Sequence, residues 1–494
     1  MHTDEAVHAI KFGTLLEEGR YTYDPNEYHG PTLNYLTLVP ARLSSAEKLN
    51  EVNEFTLRIV PVFFGVLLVL LLLLIADGMG ASGAVFAAIL TAISPAMVFY
   101  SRYYIQEMLL VCFTFALIVF SYHYTKSKKI VWIILAGMSL GLMHATKETA
   151  ILALGSMLLA LLLIRLGGKP PVKLGAKYPI WHLIACLATV VLISVLFYSS
   201  FFTNPGGILD SVRTYAAYFD RASVNSLHFH PWYYYLKMLL YFRLGSGPVW
   251  SEAFIVILAV IGFIVVVRGK SSNKVDFNLL RFIAFYTLIM TIIYSAIRHK
   301  TPWCMLSFLH GMILLAGVGA ATLMKLFPRV FARTVISLLL LAGGAQLAWQ
   351  SYLANYRYYA DPCNPYAYAH TTTDIFTMVN RIEEVAAVDP KGRNMEIHFI
   401  CPDGHDFWPF PWYLRSFPNV GYWTTVTDRV VFASVIIAQP SVEKELLTKL
   451  YELPPPGKKQ LYISLFDTYS EIRPAVELRG YVPKELFDKS IIKK

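Results

Sequence analysis

The chain has 494 residues, of which 56% are hydrophobic and only 15% are charged, and its mean hydropathy is +0.49. This composition excludes a soluble globular protein, because too few polar residues are present to cover the surface. The net charge of +10 alone would fit nucleic-acid binding, but the basic residues lie in short loops between apolar blocks, which is a membrane-topology pattern.

Residues 1–56 form a polar N-terminal segment with an acidic motif, and residues 57–352 are predicted to form a transmembrane domain. The apolar blocks there are uninterrupted, as helices in lipid require, and lack the alternation of barrel strands. Ten blocks are long enough to span a membrane: 57–76, 81–99, 104–123, 130–146, 148–165, 179–202, 252–267, 282–297, 303–324 and 333–352. The predicted fold class is mainly α, a polytopic transmembrane helix bundle followed by a small α/β domain.

Alternate loops between these blocks differ in positive charge. The basic residues on one side are Lys126, Lys128, Lys129, Arg165, Lys169, Lys173, Lys177, Arg268, Lys270, Lys274, Arg281, Lys325, Arg329 and Arg333. Cytoplasmic loops are enriched in Lys and Arg, so this side is predicted to be cytoplasmic. The N-terminal segment, residues 203–251 and everything after residue 353 are then exoplasmic, in a multi-pass protein of the inner (plasma) membrane.

This topology places residues 1–56 outside the cytoplasm, although no span precedes them in the sequence. We therefore expect one more transmembrane helix upstream in the native protein, ending just before His2. The alternative is unaided translocation of a short N-terminal tail, which occurs in some membrane proteins.

Residues 353–494 are predicted to form a soluble exoplasmic α/β domain. Helical spacing covers 374–388, with Thr373 or Asp374 as N-cap, and 442–451. Short β-rich runs are MEIHFIC, VVFASVIIA and QLYISLF. A doubly wound sheet fragment would fit this order, and the absence of a glycine-rich phosphate loop gives nucleotide binding no support. Cys363 and Cys401 could pair, but the sequence does not decide it.

Polar residues able to do chemistry collect at the predicted exoplasmic ends of several spans. They are Asp4, Glu5, His29, Arg102, Glu107, His144, Lys147, Glu148, Arg298, His299 and Lys300. Snorkelling at a span end would explain any one cation. Glu107 and Glu148, however, begin apolar spans, where a carboxylate is costly unless it is paired or faces a polar cavity. A shared pocket is therefore predicted, in which carboxylates serve acid, base or metal chemistry and cations neutralise a lipid phosphate.

Several motifs recur in a characteristic order: HTDEAVHA at 2–9, HGP at 29–31, YSRYYIQE at 100–107, TKE at 146–148 and KTPW at 300–303. Together they resemble the membrane glycosyltransferases of the GT-C fold. The likeness is to the protein O-mannosyltransferase and aminoarabinose-transferase branch, and closest to an uncharacterised bacterial and archaeal subgroup associated with flippase activity. It extends to HPWYYY, PYAYAHT and WPFPWYLR. The expected first transmembrane helix and the WWD signature of oligosaccharyltransferases are missing.

The resemblance implies an inverting transferase that moves a sugar from a polyprenyl-phosphate donor to an acceptor outside the cytoplasm. Asp4 would be the general base, with Glu5 and Glu107 as further catalytic carboxylates that orient cations, bind acceptor hydroxyls or hold a divalent ion. The donor phosphate would be bound by Arg102, Lys147, Arg298 and Lys300. The donor or acceptor would be lined by His29, His144, Glu148, His299, Trp303, Trp232 and Tyr235.

No cofactor is certain from the sequence, although a divalent cation could be bound by carboxylates with His29 or His299. The expected partners are the polyprenyl-phosphate-linked sugar and membrane lipid, without nucleic acid; the sugar and the acceptor class, whether protein, lipid or glycan, stay open. The aromatic stretch around Trp232 and Tyr235 fits either contact with the isoprenoid chain or an interfacial aromatic belt. Trp408, Trp412, Tyr413 and Arg415 fit either sugar stacking or packing on the membrane domain.

Two other functions fit part of the pattern. A transporter or accessory protein for lipid-linked sugars would place charges near mid-membrane and often shows an internal repeat, whereas these charges lie at one face and no repeat is evident. A lipid-modifying phosphotransferase would need a nucleophile facing the anion site, a role that His144 or His299 could take.

Overall fold

The computed structural model describes residues 1–26, 29–167, 179–223, 228–269, 275–327, 329–457 and 459–492. Fifteen α-helices lead up to the tail in this part of the chain: α1 (Thr3–Glu18), α2 (Thr32–Leu43), α3 (Glu54–Met79), α4 (Ala81–Ile93), α5 (Pro95–Ser101), α6 (Glu107–Ser127), α7 (Ile130–His144), α8 (Ala150–Leu166), α9 (Ile180–Tyr198), α10 (Gly206–Ser223), α11 (Tyr234–Leu240), α12 (Ala253–Arg268), α13 (Phe277–Ala296), α14 (Leu306–Leu326) and α15 (Val330–Tyr352). The predicted basic residues Lys169, Lys173, Lys177, Lys270 and Lys274 lie outside the described residues.

Six of the described helices are long and apolar enough to cross a membrane, or seven when the bent pair α4 and α5 counts as one span. Shorter apolar helices, α7, α8 and α12, coincide with the remaining predicted blocks. Each predicted span therefore falls on an apolar helix or on the bent pair, with its edges moved by a few residues. The predicted fold class, a polytopic helix bundle, is confirmed.

The break between α4 and α5 shapes the end of the bundle that carries the tail. The Ser94 hydroxyl accepts from the Met97 backbone N–H, Pro95 begins α5, and the two helix axes differ by 61°. Glu252, at the start of α12 and fully buried, accepts hydrogen bonds from the Ser94 hydroxyl, the Ala96 N–H and the Tyr366 hydroxyl. Because proline cannot continue the helix, the chain turns here into the loop that carries the YSRYYIQE motif.

The polar N-terminal segment contains two helices, α1 and α2. His2 caps α1: its ring accepts from the Asp4 N–H, and the Glu5 carboxylate accepts from the His2 N–H, which completes a capping box. The acidic motif of the sequence therefore occupies the first turn of a helix. This fixes which way each acid faces.

Residues 374–492 form the tail domain. Its elements are α16 (Asp374–Ala386), β1 (Ile397–Ile400), α17 (Phe410–Tyr413), β2 (Val420–Trp423), β3 (Val435–Ala438), α18 (Glu443–Glu452), β4 (Tyr462–Ser464), β5 (Glu471–Arg473), β6 (Val476–Glu477), β7 (Arg479–Pro483) and α19 (Lys484–Ile492). The main sheet has the order β2-β1-β3-β7-β4, in which the first three strands are parallel and β7 is antiparallel to both of its neighbours. The parallel part agrees with the predicted α/β domain.

Cys363 and Cys401 are both free thiols, so the pairing that the sequence left open does not form in this structure.

The tail domain docks on the N-terminal segment through WPFPWYLR. The Trp412 indole N–H donates to Glu54 at 2.9 Å, and the Arg415 guanidinium donates to the carbonyls of Leu49 and Val52. Arg415 also stacks on Trp412, 3.9 Å from the ring centroid. Of the two predicted roles for these side chains, the structure supports packing on the membrane domain.

Close helix contacts in the bundle depend on glycine. A Cβ at Gly262 of α12 would lie 2.0 Å from the Leu315 carbonyl oxygen of α14, and the facing Gly319 has the same restriction against Leu258. Backbone cannot move aside as a flexible side chain can, so these glycines set how closely α12 and α14 approach.

We expect Gly262→Ala to lower the free energy of unfolding by about 1–3 kcal/mol, because the added methyl group forces the two backbones apart. Thermal unfolding in detergent measures this. Gly155→Ala in α8 is the matched control, since nothing lies within 4 Å of a Cβ at Gly155. Equal melting temperatures for the two variants would contradict the close approach.

Candidate active site

The two acids in the first turn of α1 have different surroundings. The Glu5 side chain is fully buried and accepts four hydrogen bonds, from Arg58 Nε and Nη2 at 2.7 Å each and from the His2 and Tyr104 N–H groups at 3.0 Å. Although burial opposes ionisation, Arg58 holds the pKa of Glu5 well below its usual range. With every lone pair engaged, Glu5 is suited to fixing structure rather than to taking up a proton.

Asp4 has no such support. Among the described residues, no donor makes a hydrogen bond to its carboxylate, and no cation forms an ion pair with it. Burial and the negative charge of Glu107 raise the pKa of Asp4 to about 6, and His29, Lys147 and His228 oppose that rise. A carboxylate with a pKa near neutrality and a free lone pair is well matched to accept a proton.

Glu107 and Lys147 form a buried ion pair beside Asp4. Both side chains are about 5% exposed, and Lys147 Nζ contacts Glu107 Oε1. Glu107 begins α6, and Lys147 lies in the turn between α7 and α8. The predicted pairing requirement for Glu107 is therefore met by the cation of the TKE motif.

The HGP motif docks on the same turn. A Cβ at Gly30 would lie 2.1 Å from the Ala145 carbonyl oxygen, and the Gly30 N–H donates to the Thr146 carbonyl at 3.0 Å, so only glycine fits. This contact brings His29 Nδ1 within 2.7 Å of the Glu148 carboxylate. HGP and TKE thus form one surface, although 115 residues or more separate them in the sequence.

Two histidines complete the site: His228, in the segment before α11, and His299, in the segment after α13. The His228 Nδ1 lies 2.8 Å from the Tyr368 hydroxyl, and its ring centroid lies 5.0 Å from that of His299. Burial lowers the pKa of both imidazoles, so they are neutral at pH 7. His228 and Arg58 were not predicted as site residues; the HFHPW spacing could have indicated the first, but only the fold reveals the second.

The other predicted residues lie around this group rather than in it. Lys300 donates its ammonium to the backbone carbonyls of His230 and Ile297, and His144 Nδ1 lies 3.1 Å from the Ser194 hydroxyl on α9. Within the described part of the chain, neither Lys300 nor Arg102 is hydrogen-bonded or ion-paired to Asp4 or Lys147. Arg298 is exposed and contributes its carbonyl to the His230 N–H.

The three predicted aromatic residues have different positions. Trp303 is buried and packs against His2 and Tyr103, with ring centroids 5.9 Å apart in both cases. Tyr235 is buried and donates its hydroxyl to the Thr301 carbonyl at 3.1 Å. Trp232 is 65% exposed, as a residue in contact with lipid or its headgroups would be.

Arg102 lines a separate cavity of about 560 Å³ on the Glu5 side of α1. Its guanidinium donates to the Asn355 side chain at 3.0 Å and lies 5.5 Å from the Tyr356 ring centroid. The cavity is bounded on the tail side by Thr371, Thr372, Thr373, Ile375, Phe376 and Tyr413. His2 and Tyr103 stand in the wall on the side of Trp303.

The described residues of the site offer few ligands for a metal ion. Over the described ranges, no group of three His, Cys, Asp or Glu side chains converges closely enough to hold an ion. Glu5 and Glu148 are occupied by Arg58 and His29, and Glu107 by Lys147. The divalent cation that the sequence left open is not supported by this donor set.

Comparison with solved structures shows which fold the chain has. ArnT from Cupriavidus metallidurans bound to undecaprenyl phosphate superimposes with a TM-score of 0.63 at 13% identity, covering 97% of this chain and 93% of that chain. The chain has the GT-C fold. The oligosaccharyltransferase of Archaeoglobus fulgidus shares the GT-C fold with a TM-score of 0.56 at 12% identity, over 91% of this chain, which spans 66% of that protein's length.

Sequence comparison adds a partial match within the GT-C fold. Residues 37–204 match the family described as dolichyl-phosphate-mannose-protein mannosyltransferase. The matched range contains the YSRYYIQE and TKE motifs, and therefore Glu107 and Lys147. No curated protein matches the chain by sequence.

We expect Arg58→Met to lower the free energy of unfolding by about 3–5 kcal/mol, because it leaves the Glu5 carboxylate buried without its counter-ion. Thermal unfolding of the purified protein measures the loss. Lys489→Met is the control, since its ion pair with Glu485 is exposed and contributes little. Adding Glu5→Gln to Arg58→Met should recover part of the loss; no recovery would mean that the charge of Glu5 is not the cause.

Proposed function

We propose that this protein is a membrane glycosyltransferase that moves a sugar from a polyprenyl-phosphate donor to an acceptor hydroxyl, with inversion and with Asp4 as general base. The observation that carries the proposal is the free Asp4 carboxylate next to the Glu107–Lys147 pair at one end of a GT-C bundle. The lipids bound in two structural neighbours support the donor class. ArnT was solved with undecaprenyl phosphate, and the archaeal oligosaccharyltransferase AglB with an inhibitory peptide and dolichol-phosphate.

In the proposed reaction, ionised Asp4 takes the proton of the acceptor hydroxyl as that oxygen attacks the anomeric carbon. The bond between the anomeric carbon and the phosphate oxygen breaks, and the polyprenyl phosphate leaves with the electron pair. Lys147 stabilises the charge that develops on the phosphate, and the neutral imidazoles of His228 and His299 can donate hydrogen bonds to it. Arg102 and Lys300 would act on more distant parts of the donor or acceptor.

The proposed orientation places the tail domain and the site outside the cytoplasm. Lys126, Lys128, Lys129 and Arg165 belong to the loops predicted to be cytoplasmic, and they lie at the opposite ends of α6, α7 and α8 from Glu107 and Lys147. A lipid-linked sugar that has been moved across the bilayer would reach such a site, whereas a nucleotide sugar in the cytoplasm would not. This supports a donor that is lipid-linked rather than a nucleotide sugar.

Asp4→Asn should lower kcat about 10²- to 10⁴-fold with little change in donor binding, because the amide keeps the shape but cannot accept a proton. The folded variant should be more stable than the wild type above pH 6, since a buried charge with a raised pKa is removed. The assay is transfer from a purified polyprenyl-phosphate sugar, with thermal unfolding in parallel. Asp467→Asn, at an exposed carboxylate, is the control. Transfer by Asp4→Asn at the wild-type rate would exclude Asp4 as the base.

The pH dependence follows from the same carboxylate. The base must be ionised, so kcat/KM should fall about tenfold per pH unit as the pH drops below the pKa of Asp4, about 6. Steady-state rates from pH 4.5 to 8 test this. An acidic limb centred near pH 4, the usual value for aspartate, would show that the reacting carboxylate is not buried beside Glu107.

A further inference from the structure

The residues on either side of Asp4 are held by parts of the chain that follow the bundle. The Thr3 hydroxyl accepts a hydrogen bond from Arg473 Nη1 at 3.1 Å, and Arg473 lies on strand β5 of the tail domain. His2 Nε2 lies 3.0 Å from the Tyr368 carbonyl, in the segment that leads into the tail domain. Asp4 is therefore next in the chain to a residue that contacts the far C-terminal domain.

The Arg473 guanidinium is itself fixed. Nη2 forms an ion pair with Asp406, and Nη1 also donates to the Trp408 carbonyl at 3.3 Å. The Gln439 amide in turn donates to the second oxygen of Asp406 at 2.6 Å. Arg473 and Asp406 are each about 15% exposed. Nη1 therefore donates to both the Trp408 carbonyl and the Thr3 hydroxyl, while Nη2 is held by Asp406, so the planar guanidinium that contacts Thr3 is itself fixed in place.

We propose that Arg473 is a positioning residue: through Thr3 it fixes the first turn of α1, and so the place of Asp4 relative to Glu107 and Lys147. The proposal rests on the function assigned above to Asp4. It gives the tail domain a part in the reaction, in addition to its packing on the membrane domain.

A contact from the tail domain can position Asp4 because the first turn of a helix is held less firmly than the helix interior. The first turn of a helix has no preceding carbonyls for its N–H groups, so its geometry depends on caps and side-chain contacts. Glu5 fixes one side of this turn through Arg58, and Arg473 fixes the neighbouring residue from the tail domain. Because Asp4 has no hydrogen-bond donor of its own among the described residues, these contacts set its position. A displacement of about 1 Å at a reacting group can cost up to about 100-fold in rate.

The pH profile offers a second readout. The groups that face Asp4 are Glu107 on α6, Lys147 in the turn after α7, His29 in the HGP motif and His228 before α11. Burial is the largest cause of its raised pKa. When the first turn loosens and water enters, that pKa falls toward the ordinary aspartate value, and the acidic limb of the rate profile moves to lower pH.

The experiment compares Thr3→Val, Arg473→Met and Arg473→Lys with the wild type in the full-length protein. We expect Thr3→Val and Arg473→Met to lower kcat at least about tenfold with the donor KM unchanged, and to move the acidic limb to lower pH. Arg473→Lys should recover only part of kcat. The ammonium keeps the positive charge, but it lacks the planar fork that lets arginine bond Asp406 and Thr3 at the same time.

Arg415→Met is the matched control. It removes a second guanidinium from the same domain interface, but one that contacts Leu49 and Val52 rather than the first turn of α1. Its kcat and acidic limb should stay at wild-type values. An Arg473→Met enzyme that behaves like Arg415→Met in both readouts would overturn the positioning role.

Amide hydrogen exchange tests the positioning role of Arg473 independently of the proposed glycosyltransferase activity. Exchange in residues 3–8 should be faster in Arg473→Met than in Arg415→Met, whether or not the protein transfers sugar. A wild-type protein that transfers no sugar would refute the glycosyltransferase assignment, and the exchange result would still decide whether Arg473 holds the turn. Unchanged exchange in Arg473→Met would refute the positioning role, even in an active enzyme.

Discussion

The buried carboxylate of Glu5 is the interaction on which the site depends. It joins α1 to Arg58 of α3 and to the backbone of Tyr104 in the loop before α6. Three separate stretches of chain thus meet at one side chain, and the loop that leads to Glu107 is tied to the helix that carries Asp4. An uncompensated carboxylate at this depth would be very unfavourable, so the arrangement forms as a whole.

Two adjacent acids of similar intrinsic acidity end up with opposite tasks because the helix turns them to different sides. Glu5 accepts hydrogen bonds from a guanidinium and two amides, which keep it ionised, whereas Asp4 lies beside a second carboxylate. Environments that push two carboxylates apart in pKa commonly mark an acid or base site. Here the same helix turn produces both environments, so a loss of its geometry would affect both acids together.

The sequence was most informative where a physical requirement acts over a short stretch of chain. Uninterrupted apolar blocks predicted the spans, and the TKE and HGP motifs predicted residues that the fold brings onto one surface. Lipid exposure and close backbone contact impose those patterns locally. The strand order of the tail, with β7 inserted between β3 and β4, follows no local pattern and was not predicted.

Residue pairing was beyond the reach of sequence reasoning. Arg58 lies inside the first apolar block and was not predicted as a site residue, because nothing near it in the sequence indicates Glu5 as its partner. The cations Arg102 and Lys300 were expected beside Lys147, but the bend at Ser94–Pro95 and the backbone carbonyls around Ile297 direct them elsewhere. Electrostatic suitability alone does not decide which cations converge, because the path of the backbone and competing acceptors also decide it.

The contact between Thr3 and Arg473 also bears on how the protein is made. Arg473 is synthesised after every apolar helix of the chain, so the first turn of α1 cannot reach its final arrangement while helices are still being inserted. A nascent chain therefore carries the Asp4 carboxylate before the contacts around it are complete. Membrane insertion and the completion of the site become successive events, and a truncated translation product would be left in the bilayer without an assembled site.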